Sequence, residues 1–161
     1  MKPRTTYTAA MKAESPLAEL LCFDLYATSR SMTAAYRPLL EPLGLTYPQY
    51  LVMQLLWRHG ERAIRELTTD LGLDHNTLSP LLKRLEARGL VTRTRRPEDE
   101  RSVIVALTAD GRALRARCRG IPDAIASAAG LPAKEIARLR KSLRALATNT
   151  AVAAQGRSVA W

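Results

Sequence analysis

The 161-residue chain holds only two cysteines, Cys22 and Cys118, too few for a disulfide framework. No stretch approaches the ~18 consecutive apolar residues of a membrane helix, so no membrane partner is expected. The opening residues, MKPRTTYTAAMKAES, are polar and lack the apolar run of a secretory leader. Internal repeats and long linkers are missing as well. Together these gaps argue for a cytoplasmic protein, where a thiol is more often free, catalytic or sensing than structural. Acidic residues are also scarce: 15 Asp+Glu face 25 Lys+Arg, a net +10. A surplus of that size favours a polyanionic partner, nucleic acid before a membrane surface.

What is present reads as a flexible arm over residues 1–14 and one mainly α domain over 15–161. Ser15-Pro16 is a helix start. Leu17, Leu21, Leu25, Thr28, Met32, Tyr36 and Leu39 then recur at helical steps, predicting a long amphipathic helix that Pro38 should kink or end. Thr46 and Gln49 fit a capping box for a second helix, which carries Tyr50, Met53, Leu56 and Trp57 inward and ends near Gly60. A short helix with Ile64, Leu67 and Leu71 on one face stops at Gly72. Asp74 caps the next, whose stripe is Leu78, Leu81, Leu82 and Leu85 and whose stop is Gly89.

Residues 91–95 alternate as a strand, 97–100 form the turn and 103–107 the return strand. Thr108 caps a helix to about Ser127 that Gly120 and Pro122 can interrupt. Residues 130–132 break it, and a last helix spans about 133–153 with Ile136, Leu139, Leu143 and Leu146 as its stripe. A winged helix-turn-helix therefore occupies 46–108, between outer helices at 15–45 and 109–155. Those outer stripes exceed what a lone winged unit covers, so they are expected to be dimerisation helices. The twofold symmetry of a homodimer suits a palindromic operator in double-stranded DNA.

The DNA signal rests on placement rather than on quantity of charge. Residues 47–108 hold 10 Lys+Arg and 8 Asp+Glu, whereas 112–144 hold 9 and 2. On the helix after Asp74 the face opposite the leucines offers His75, Asn76, Thr77, Ser79, Pro80, Lys83 and Arg84. The short polar groups lie near the end that enters a major groove, Asn suits adenine, and Lys and Arg suit guanine or phosphate. The Pro80 ring can touch a thymine methyl. In the hairpin, Arg93 and Arg95 share a face, and Arg96 and Arg101 flank the tip, placed to follow phosphates or enter a narrow minor groove. Asp99 can hold the Arg101 guanidinium in shape. The bland alternatives are a solvated helix face and a turn with exposed ion pairs worth about 0–1 kcal/mol. The helix and the basic hairpin together favour DNA.

Asp99-Glu100-Arg101, followed by Val105-Ala106-Leu107-Thr108 and Gly111, resembles the wing signature of the MarR family of winged-helix regulators. The likeness covers roughly residues 17–146. Leu21-Cys22-Phe23, Tyr26, Tyr36-Arg37, the run from Leu45 to Met53 and that from Thr77 to Leu85 resemble the organic hydroperoxide resistance regulators within it. The resemblance implies a repressor without a cofactor, not an enzyme, in which organic hydroperoxide oxidises Cys22 and the dimer leaves its operator. It implies that Tyr36 and Tyr47 hydrogen-bond the sulfur from the partner subunit, with Tyr26 nearby. It also places a resolving cysteine near Ser127, whereas Cys118 stands earlier in that helix. Either Cys118 is a bystander and Cys22 works with a low-molecular-weight thiol, or a register shift brings Cys118 into range across the dimer.

The residues give this reading physical sense. Tyr26 lies one turn beyond Cys22 and on the same face. With a helix starting at Ser15, Cys22 is about two turns in, where the helix field has faded. Phenolic hydroxyls donating to sulfur are then the activators, and Leu21, Phe23 and Met53 supply an apolar surround. A lone cysteine on an apolar helix face is otherwise a small buried hydrophobe. Three rivals stand beside this reading: a repressor of the same fold released by a phenolic ligand with Cys22 structural, a thiol peroxidase, and an architectural DNA binder. The peroxidase leaves the DNA-reading span unexplained.

Overall fold

The computed structural model describes residues 16–96 and 99–156, and the backbone alone of residues 96, 99–102 and 154–156. The expected arm, Ser15 and two turn residues, Pro97 and Glu98, lie outside the described residues. A turn at 16–19 leads into α1 (Leu21–Leu40), a 3-10 turn (Glu41–Leu43), α2 (Tyr47–His59), β1 (Arg62–Ala63), α3 (Ile64–Leu71) and α4 (His75–Ala87). There follow β2 (Val91–Arg96), β3 (Asp99–Leu107), α5 (Ala109–Arg117), α6 (Ile121–Ala128) and α7 (Ala133–Gly156). The chain divides into two compact units, Met1–Ile125 and Ala126–Trp161.

In the first unit the apolar stripes converge. Leu40, Met53, Leu56, Leu67, Leu78, Leu82, Leu85, Val91 and Val105 are fully buried in one core, and Leu81 is half-buried against it. Removing one such leucine typically costs about 2–5 kcal/mol. The sheet has the order β1-β3-β2, all antiparallel, with Arg62 opposite Val105 and Arg93 opposite that same residue on the other side. It is a mainly helical winged-helix fold, as the sequence predicts.

Side chains close the helix ends. Gln49 N–H donates to Thr46 Oγ1 and Thr46 N–H to Gln49 Oε1, the reciprocal capping box. Thr77 N–H donates to Asp74 Oδ1 at 2.7 Å. Gly111 N–H donates to Thr108 Oγ1 at 3.0 Å, while the Thr108 hydroxyl donates to the Gly89 carbonyl at 2.6 Å. Gly72 and Gly89 end their helices at φ 62° and 68°, left-handed values that favour glycine.

Three boundaries differ from expectation. The first helix starts at Leu21, not at Ser15-Pro16, because the Leu20 carbonyl accepts from the N–H groups of both Phe23 and Asp24 and closes the first helical turn there. Pro38 does not end α1, which runs on to Leu40. Its ring and Ala34, whose carbonyl loses a helical donor, are both exposed to water. The return strand starts at Asp99, so Asp99 and Glu100 belong to β3 rather than to the turn. A register shift between Arg95 and Arg96 accommodates the extra residues, since Arg95 faces Val103 while Arg96 faces Asp99.

Part of the α1 stripe is bare. Its C-terminal end packs on the core through Ala35, Tyr36, Leu39 and Leu40, but Leu21, Tyr26 and Met32 are exposed. In the second unit, Leu139, Leu143 and Val152 of α7 are exposed as well. Among the described residues no helix is long and apolar enough to cross a membrane.

Candidate functional site

The leucines of α4 turn the opposite face outward. His75, Asn76, Thr77, Pro80, Lys83 and Arg84 are exposed and Ser79 is half-buried, so these side chains share an accessible polar face. Pro80 sits inside α4 without breaking it. The Thr77 hydroxyl also donates to Asp74 Oδ2 at 3.0 Å. These bonds, the backbone one foremost, hold the Asp74 carboxyl below its ordinary pKa, so it caps α4 as an anion.

The wing arginines divide. Arg95 is exposed. Arg93 has a partner that the strand pattern did not suggest: its Nε donates to Glu86 Oε2 at 2.9 Å, and its backbone N–H to Oε1 at 3.1 Å. The bond from the Arg93 side chain is the main reason that the Glu86 carboxyl is held below its ordinary pKa. The side chains expected at the tip, Arg96, Asp99 and Arg101, lie outside the described residues. At the far end of α4, Arg88 donates to the Leu43 carbonyl at 2.9 Å and to the Gly44 carbonyl. The reading helix is thereby fastened to the turn that ends α1. Neither Glu86 nor Arg88 stands out in the sequence, because each partner lies across a chain reversal.

At the other end of α1, Cys22 is exposed and occupies the second helical position. The expectation that the helix field has faded there is corrected. The Cys22 residue lies in the first turn, the part of a helix to which its N-terminal dipole field is confined. Tyr26 is exposed one turn on, and its hydroxyl accepts from Arg30 Nη1 at 2.9 Å, with the guanidinium 5.5 Å from the ring centroid. The expected apolar surround changes too. Leu21 is exposed and Phe23 half-buried, but Met53 is fully buried in the core and walls no exposed thiol.

Tyr36 and Tyr47 come together, ring centroids 4.6 Å apart. Tyr50, absent from the predicted site, joins them at 5.8 Å from Tyr36 and contacts Trp57 edge-on. Its hydroxyl accepts from Gln54 one turn later, an i,i+4 spacing that offered the only sequence signal. Burial first, then the neighbouring phenols of Tyr47 and Tyr50, raise the Tyr36 pKa above its ordinary value, so its hydroxyl stays a proton donor. Cys22 and Tyr36 are separated by fourteen residues, roughly 21 Å along one helix. They do not meet within a chain.

Cys118 is a core residue, 2% exposed, at the break between α5 and α6. Burial pushes its thiol pKa up, the reverse of what a reactive cysteine requires. Between α1 and the start of α2 runs an open groove of about 990 Å³, lined among others by Arg30, Thr33, Arg37, Leu45 and Tyr47.

Comparison with known proteins finds this architecture elsewhere. The transcriptional regulator family SarA/Rot matches residues 34–117. The chain is 45% identical over 126 residues to the organic hydroperoxide resistance transcriptional regulator of Bacillus subtilis (strain 168), a span of 78% of this chain and 86% of that protein. It is similar to the structure of reduced AbfR bound to DNA, a Staphylococcus epidermidis protein. There the identity is 35%, the coverage 83% of this chain and 93% of the other, and the TM-score 0.70. The structure of disulfide-formed AbfR matches at 36% identity and TM-score 0.59, covering 81% of this chain and 91% of that one.

Proposed function

The chain belongs to the MarR family of winged-helix transcriptional regulators, and on that footing we propose that it is a dimeric, cytoplasmic repressor which organic hydroperoxide releases from its operator by oxidising Cys22. The observation that carries this reading is the arrangement on α1. An exposed thiol sits in its first turn, a tyrosine follows one turn later, and Tyr36, paired with Tyr47 at the start of α2, lies on the same face beyond reach of the same chain's sulfur. A twofold axis crossing α1 near Ser29, midway between Cys22 and Tyr36, brings each thiol to the partner's Tyr36 and Tyr47. The same axis covers the bare stripe of α1, and a second subunit likewise covers that of α7. The helices α1 and α5 to α7 are then the dimerisation helices and 46–108 the DNA-reading unit.

In the reaction the Cys22 thiolate attacks the terminal peroxide oxygen. The S–O bond forms as the O–O bond breaks, and the alkoxide takes up a proton and leaves as the alcohol. Cys22 becomes a sulfenic acid. Condensation with a low-molecular-weight thiol yields a mixed disulfide and water, and a dithiol restores the free cysteine. Burial of Cys118 favours the small thiol over a Cys22–Cys118 bridge. The new oxygen or thiol adduct no longer fits between the phenols, and the subunits shift. On DNA, the residues from His75 to Arg84 enter the major groove and Arg95, with Arg96 and Arg101, follows the backbone.

Cys22→Ser tests this reading. The variant is expected to bind a duplex from its own upstream region as wild type does. Cumene hydroperoxide should release the wild type by roughly 10³-fold, to its non-specific level, and leave the variant bound. Release of Cys22→Ser by peroxide contradicts the thiol mechanism. A second reading has one observation in its favour, the groove beside Arg30 and Arg37, which suits a phenolic or carboxylate ligand. Under it, such a ligand releases wild type and Cys22→Ser alike.

A further inference from the structure

The sequence offers Arg93 to DNA, whereas the fold gives it to Glu86. β2 is an outer strand in the order β1-β3-β2, and half of the N–H groups of such a strand face away from its neighbour. The Arg93 N–H is one of these, and Glu86 Oε1 accepts it at 3.1 Å. The other carboxylate oxygen takes the Arg93 Nε at 2.9 Å and also Nη2. One carboxylate on the last turn of α4 thus takes three donors from one residue of the wing. It does so across the corner made by Arg88, Gly89 and Leu90. The pair is only partly exposed, the two side chains keeping 23% and 36% of their accessible surface, and a charged contact held by three hydrogen bonds and shielded in that way is directional.

We propose that Glu86 is a positioning residue of the DNA-reading surface: it withholds Arg93 from the phosphates and fixes the angle of the wing to the recognition helix. The wing and α4 must meet two neighbouring grooves together. Their only covalent link is a corner containing the left-handed Gly89, φ 68°, and Glu86 braces it. This inference rests on DNA binding by the winged helix and is independent of the Cys22 chemistry.

The alternative is a surface acid that merely repels DNA while a nearby arginine grips it, and the two predict opposite signs. The test measures affinity for a duplex selected from a random pool by the wild-type protein, over a salt series, with thermal melts alongside. Glu86→Ala and Arg93→Gln are each expected to weaken binding by roughly 10-fold, the scale of one charged hydrogen bond. The double variant should be no weaker than either single one. Glu86→Asp keeps the charge but is one carbon too short, and it should behave as Glu86→Ala does. The slope of log affinity against log salt should stay at its wild-type value in Arg93→Gln. Tighter binding by Glu86→Ala overturns the proposal. So does unchanged affinity, or a slope reduced in Arg93→Gln by about 1.8, the value for one fewer neutralised phosphate in each half-site. Should Glu86→Ala fail to fold, Arg93→Gln and its slope decide alone.

Discussion

Cys22 and Cys118 differ in surroundings rather than in chemistry. The first is exposed in an initial helical turn, and the second is enclosed by the core with its thiol pKa raised by burial. Sulfur reactivity follows access and thiolate fraction. Iodoacetamide should therefore label Cys22 in the native protein and reach Cys118 at least roughly 10²-fold more slowly, through opening of the fold. Peptide mass spectrometry reads both. Equal labelling of the two contradicts the placement of Cys118. At this scale the sequence offered candidate residues for chemistry but not which of them already hold a partner. Arg93 and Arg95 are equivalent by strand alternation, and only the fold shows that a carboxylate at position 86 takes the first. Met53 likewise falls in a segment resembling a sensor, yet it is fully buried.

Elements were legible wherever a local bond sets their ends. The hydroxyls of Thr46 and Thr108 and the carboxylate of Asp74 cap the helices expected of them. The start of α1 was not, since the Leu20 carbonyl and no side chain closes its first turn. That shift of several residues is what moves Cys22 into the first turn. Beside that Thr108 cap, Gly111 was readable only as a motif residue, and the structure supplies the reason. A Cβ there would collide with the Leu90 carbonyl, while the Gly111 carbonyl accepts the Trp57 indole N–H at 2.8 Å. Gly111→Ala should lose about 3 kcal/mol in urea unfolding. Gly120→Ala, where a Cβ meets nothing within 4 Å, should change by about 0.5 kcal/mol or less. Equal losses contradict the close approach of α5 to Leu90.

Across the whole molecule, the surplus of +10 supplies a general attraction to DNA, while the winged unit is nearly balanced and gains its grip from geometry. In the proposed dimer that geometry depends on how two copies of α1 meet, and each carries one thiol at the meeting face. The chain from sensor to reader is then short. Cys22 lies on α1, the turn that ends α1 is held by Arg88, and Arg88 ends the recognition helix. The most direct measurement is a titration of operator-bound protein with cumene hydroperoxide, following DNA occupancy by anisotropy and Cys22 oxidation by mass spectrometry in the same samples. Occupancy should fall in step with loss of the Cys22 thiol, at about one equivalent of peroxide per chain, and return with dithiol. Release while Cys22 stays reduced, or full oxidation of Cys22 with the operator still bound, would contradict the account.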